Sequence, residues 1–102
     1  SRNVYLTPDQ RQKALSLSRI LQSGLDLFAQ GESQSDPILE EGFRQFHEQF
    51  HSMEGIRLDY LGIVDQNSFR PIHTIQPGNY YIGAIFVGAT RLIDNRVFGT
   101  KE

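Results

Sequence analysis

The apolar residues of this chain keep one spacing up to Gly55 and another after it, so a single domain built from them has to be layered. Ala14, Leu17, Leu21, Leu25 and Phe28 recur at three- and four-residue steps, flanked by Ile20, Gly24 and Leu27. Leu39, Phe43, Phe46, Phe50 and Met53 repeat that helical stripe. Beyond Gly55 the period changes. Residues 56–64 alternate and then turn apolar on both sides, residues 80–87 strongly favour a strand, and residues 90–94 return as its hairpin partner behind Gly88-Ala89.

Local signals bound these elements. Thr7 and Gln10 have the spacing of a capping box, and Pro8 occupies the first helical position, where its missing N–H is not needed. Gly31 ends that helix, and residues 31–35 form a short polar connector. Asp36-Pro37 repeats the start signal and Gly55 closes the second helix, which predicts an antiparallel helical pair. The apolar half of residues 56–64 predicts a central strand, with a polar excursion after it through Asp65-Gln66-Asn67 and Pro77-Gly78-Asn79. Neither layer can bury its apolar face alone. The expected fold is therefore α+β, two amino-terminal helices packed on a three-stranded antiparallel sheet, with the surface opposite the helices still short of a partner.

Composition excludes several classes. At 102 residues the chain is one domain, and its net charge of −2 comes from 10 basic and 12 acidic side chains scattered along it. That leaves no basic field for nucleic acid and no polybasic patch for a membrane surface. Cysteine is absent, so disulfides, thiolate metal sites and a cysteine nucleophile are excluded. No apolar run approaches the about 20 residues of a membrane span, and no signal-peptide pattern opens the chain. The reading is a soluble, cytoplasmic protein.

His47-Glu48-Gln49-Phe50-His51 matches the H-E-x-x-H pattern, in which two histidines one helical turn apart share a zinc ion and the glutamate activates water. A third ligand is needed, and the remaining histidine, His73, falls in a loop. The expectation is two surface histidines at the margin of an amphipathic helix. No glycine-rich phosphate loop and no nucleophile elbow occurs, and Asp59, Asp65 and Asp94 read as strand-edge or turn residues. Ser1-Arg2-Asn3 offers a hydroxyl, a guanidinium and a carboxamide, groups suited to triphosphate oxygens, ahead of the first helix.

Ser1-Arg2-Asn3-Val4-Tyr5-Leu6-Thr7-Pro8 resembles the segment of the pantothenate synthetases, the pantoate–β-alanine ligases, that reads Met-Ser-Ser-Arg-Asn-x-Tyr-Leu before a helix. Asp59-Tyr60-Leu61 is similar to the first strand of that family's carboxy-terminal domain, and Thr90-Arg91-Leu92-Ile93-Asp94-Asn95 to its closing strand. The run Gly83–Gly88 departs from the alanine-rich, arginine-containing sequence of many relatives.

The resemblance implies a small lid domain spanning residues 1–102, with the amino-terminal nucleotide-binding domain upstream of the sequence given. It also implies an ATP-dependent condensation of pantoate with β-alanine through a pantoyl adenylate, with Mg2+ accompanying the ATP. By the family pattern, Ser1 and Arg2 are the ATP-binding residues, by hydroxyl and by charge. The domain alone is expected to fold, to hold no cofactor tightly and not to catalyse, while the full-length enzyme is expected to be a homodimer. The alternative is a noncatalytic module whose helices or sheet edge bind a protein partner.

Overall fold

The computed structural model describes residues 7–99. Two helices, α1 (Pro8–Ala29) and α2 (Ser35–Phe50), precede three strands, β1 (Ile56–Val64), β2 (Tyr80–Val87) and β3 (Thr90–Val97). The strands form an antiparallel sheet in the order β1-β2-β3, and both helices lie on one side of it. The expected α+β class is the one observed.

The first helix starts as its sequence predicts. The Thr7 hydroxyl accepts the Gln10 N–H while the Gln10 side chain accepts the Thr7 N–H, both at 3.1 Å, a reciprocal capping box. At the other end Gly31 takes φ +118°, a conformation open to glycine, and the Gly31 and Glu32 N–H groups close back on the carbonyls of Phe28 and Leu27. Leu17, Ile20, Leu21, Gly24 and Phe28 are buried along one side.

The second helix departs from the expectation at both ends and in phase. It begins at Ser35 behind an uncapped Gln34, so Asp36 and Pro37 lie inside the first turn, and it ends at Phe50 rather than running on to Gly55. Ser35, Ile38, Gly42 and Phe50 are its buried positions, while Phe43 and Met53, expected in the stripe, are each 45% exposed. The physical reason is Tyr81. A Cβ on Gly42 would sit 2.3 Å from the Tyr81 hydroxyl, and one on Gly24 would sit 2.3 Å from the Tyr81 ring. The tyrosine rises from the middle of the sheet through a slot made by one glycine from each helix, which sets the contact phase of α2 by an absent side chain. Its ring stacks on Phe98 at 6.0 Å, Phe98 packs edge-on to Phe28 at 5.2 Å, and Tyr81 and Phe98 are both fully buried.

The strand expected to be central, β1, is an edge, and β2 is the middle strand. The doubly apolar end of β1 has another cause. Val64 pairs with Pro71, and the Ile72 N–H donates to Ile63 O at 3.1 Å, so the β1–β2 loop covers that end. The loop continues to the helices, where Ser35 N–H donates to His73 O, the Ser35 hydroxyl to Ile72 O and the Ile75 N–H to Ser33 O. Gly88, at φ +63°, opens the two-residue turn between β2 and β3, and β3 runs to Val97, past the expected limit at Asp94.

Candidate functional site

Ser1 and Arg2, the sequence-derived ATP residues, lie outside the described residues, as does Asn3. Gln10 Nε2 donates to Thr90 Oγ1 at 3.0 Å, which fixes the start of α1 against the β2–β3 hairpin.

The two histidines of the H-E-x-x-H match lie side by side at the end of α2. Their rings stack at 5.0 Å, and His51 Nδ1 lies 2.9 Å from the His47 carbonyl oxygen. Glu48, the would-be base, accepts a 2.6 Å bond from Arg44, and His73 is part of the loop tied to Ser35. Among the described residues no group of three histidine, aspartate or glutamate side chains could hold a metal ion. The three aspartates are likewise structural or isolated. Asp59 accepts from Arg91 Nε at 2.8 Å, and Asp65 caps a turn by accepting from the N–H groups of Ser68 and Asn67. Those bonds hold the Asp65 carboxyl below its ordinary pKa, and Asp94 accepts from the adjacent Asn95 N–H.

Strand parity divides the sheet into two faces. Tyr81, Gly83 and Ile85 of β2 point at the helices, and a Cβ on Gly83 would meet Leu17, Leu21 and Leu61. The opposite face carries Tyr80, Ile82, Ala84 and Phe86, with Tyr60 and Val64 on one side and Arg91, Ile93 and Val97 on the other. No element lies over the middle of this face among the described residues. Its aromatic rings are dressed with cations: Arg57 lies 4.5 Å from the Phe86 ring centroid and Arg91 5.6 Å from that of Tyr60. Phe69 extends the surface at the far end, its ring 5.7 Å from Tyr80. The spacing of the sequence singles out none of Arg57, Phe69, Ile93 or Val97, although an apolar run on both sides of residues 80–87 signals that the second face has something to cover.

The helix layer presents a different surface. A groove of about 410 Å³ runs between the helices, lined by Ser23, Asp26, Gln30, Glu32, Glu41 and Gln45 among others. Hydrogen bonds from Arg44 and then Gln45 hold the Glu41 carboxyl down to about 2. Tyr81 is pushed above its ordinary pKa first by burial and then by the charge of Glu41, and its hydroxyl has no hydrogen-bond partner among the described residues. Residues 7–55 carry eight acidic and four basic side chains, residues 56–99 three acidic and four basic, so the acidic charge gathers on the helix layer. No helix among the described residues is long and apolar enough to cross a membrane.

Comparison with known proteins adds what geometry alone does not. The family model described as pantoate-beta-alanine ligase matches residues 1–97. The pantothenate synthetase of Myxococcus xanthus is 38% identical over the whole chain, and that of Koribacter versatilis 42% identical over 95% of it. A crystal structure of the pantothenate synthetase from Thermus thermophilus superposes with a TM-score of 0.78 at 32% identity over 97% of the chain. The chain spans about a third of the length of each of these relatives: 34% of the Myxococcus protein, 32% of the Koribacter protein and 34% of the Thermus chain.

Proposed function

The chain belongs to the pantoate–β-alanine ligase family, as its carboxy-terminal domain, and from that premise we propose that it is the lid of an ATP-dependent ligase that joins pantoate to β-alanine. The observation that carries the reading is the extent of the family match, which begins at residue 1 and so takes in Ser1-Arg2-Asn3, the segment suited to phosphate oxygens. The rest of the active site belongs to an amino-terminal nucleotide-binding domain.

The reaction has two steps. A pantoate carboxylate oxygen attacks the α-phosphorus of ATP, giving pantoyl adenylate and releasing pyrophosphate. The amine of β-alanine then attacks the activated carbonyl carbon, forming the amide of pantothenate and expelling AMP. Adenylation supplies a good leaving group where the free carboxylate has none. Arg2 contributes a fixed cation and Ser1 a hydroxyl donor to the phosphate oxygens, on which charge shifts as pyrophosphate leaves. Magnesium enters as the companion of ATP. Closure of the domain over the adenylate keeps water from hydrolysing it. The ligase acts in the cytoplasm, as a homodimer when full-length.

The test is kinetic. In the longer chain, Arg2→Ala is expected to lower kcat/KM for ATP about a hundredfold, in the range that loss of one transition-state donor costs. Calorimetry of residues 1–102 with MgATP is expected to register no tight binding. Pantothenate formation by residues 1–102 alone, or tight ATP binding by them, would overturn the assignment of the site to two domains.

A further inference from the structure

The end of α2 brings two imidazoles together on open surface, and nothing in the ligase reading uses them. His47 and His51 are both exposed and stand one helical turn apart, with ring centroids 5.0 Å apart and ring planes inclined by 24°. Residues four apart on a helix project from one side as neighbours, the spacing at which two ring nitrogens reach a single ion. The helix supplies this arrangement before any ion arrives.

Three further features prepare the pair for a cation. His51 Nδ1 lies 2.9 Å from the His47 carbonyl oxygen, and because a carbonyl only accepts, the proton of that bond sits on Nδ1. The lone pair of the neutral ring is then on Nε2, and a backbone carbonyl holding the other ring nitrogen is the usual support of a metal-binding histidine. Arg44, one turn back, is bonded to both Glu41 and Glu48, so two carboxylates face one guanidinium and its charge is more than offset. Finally, the pair occupies the last turn of α2, where the helix dipole and unpaired carbonyls favour positive charge.

We propose that His47 and His51 form a surface chelate for a late first-row divalent metal ion, the class that prefers imidazole nitrogen, with Cu2+ bound more tightly than Ni2+ or Zn2+. Among the described residues no third histidine or carboxylate joins them, so water completes the coordination sphere. An ion held by two exposed ligands loads and exchanges instead of locking a core. Glu48 is committed to Arg44, so no free base stands beside the ion and the site binds without hydrolysing. The site is separate in chemistry from the Mg2+ that accompanies ATP, a hard ion that takes oxygen ligands and keeps its water. Both imidazoles reach the ion only while the last turn is formed, so binding holds the end of α2 together.

The experiment uses the full-length protein that carries this chain, stripped with a chelator and kept free of nucleotide and phosphate. Calorimetric titration with Cu2+ is expected to show a site in the wild type that His47→Gln or His51→Gln weakens about a hundredfold, the scale on which a second tethered ligand raises avidity. His73→Gln is expected to leave the titration unchanged. A register variant, His51→Gln combined with Gln49→His, keeps the histidine count but turns the second ring to another side of the helix, and it is expected to bind no better than His51→Gln alone. Zn2+ should compete for the site, whereas millimolar Mg2+ should not. Without metal, all variants are expected to melt with the wild type because both rings are exposed, which separates lost binding from lost fold. Coincident titrations of wild type and His51→Gln, wild-type affinity in the register variant, or displacement of Cu2+ by Mg2+ would overturn the proposal.

Discussion

The two faces of one small sheet are built by opposite rules. Toward the helices, Tyr81, Ile85 and Leu92 are buried to 6% exposure or less, and glycines at 24, 42 and 83 let the layers close to contact. On the other face Ile93 and Val97 are more than half exposed, and arginines lie on the aromatic rings. The strands are the same, so the difference is written only in which parity is filled for packing and which is left exposed. One face makes this chain a domain. The other leaves apolar surface exposed.

The sharpest way to break that contrast is a pair of isoleucines on adjacent strands. Ile85→Ala removes a fully buried side chain and is expected to destabilise residues 1–102 by about 2–5 kcal/mol. Ile93→Ala, on the open face, is expected to stay within about 0.5 kcal/mol. Urea unfolding of both variants checks this, and similar losses would mean that the open face is covered in the isolated domain. Gly24→Ala comes next. The new methyl group would lie 2.3 and 2.7 Å from ring atoms of a fully buried tyrosine that cannot turn away, and 2.9 Å from Ile38. Overpacking of about 1–3 kcal/mol outweighs the roughly 1 kcal/mol that alanine gains in a helix, so a net loss is expected by thermal unfolding.

Tyr81→Phe tests the same slot with the opposite sign. Deleting a buried hydroxyl usually costs a hydrogen bond, but this one has no partner among the described residues. Its desolvation is uncompensated, and the variant is expected to be neutral or more stable by up to about 1 kcal/mol. A clear destabilisation would show that the hydroxyl is satisfied between the helices.

What was legible in the sequence follows from which signals are carried by side chains. The capping box of α1, its glycine stop, the change of period and the hairpin at Gly88 all rest on residues whose chemistry acts locally, and all appear where expected. The phase of α2 was hidden because its central contact is Gly42, which has no apolar side chain to enter a stripe. The apolar end of β1 pointed to a central strand because burial under a loop leaves the same pattern as burial under a neighbouring strand. Of the proposed site, Ser1 and Arg2 rest on family resemblance alone and lie outside the described residues. The exposed position of Phe69 was not legible at all, since it depends on a backbone conformation held by the Asp65 turn rather than on its own type.

The smallest expected effect concerns charge on the helix side. Arg44 and Gln45 hold the Glu41 carboxyl down to about 2, against an ordinary value of 4.5. A carboxylate with a depressed folded-state pKa contributes stability that is present above its unfolded pKa and lost as pH falls through the folded one. The contribution from Glu41 should therefore be intact at neutral pH and disappear between about pH 4.5 and 2. The contact is on the surface, with Arg44 half exposed, so its share of the total is small and screened by salt. Glu41→Gln is expected to flatten the fall of the unfolding midpoint across that window, and added salt should shrink the difference between variant and wild type. An identical acid limb in both would mean that the acidic layer contributes through its overall repulsion rather than through this pair, and that the two faces differ in charge without differing in how charge stabilises them.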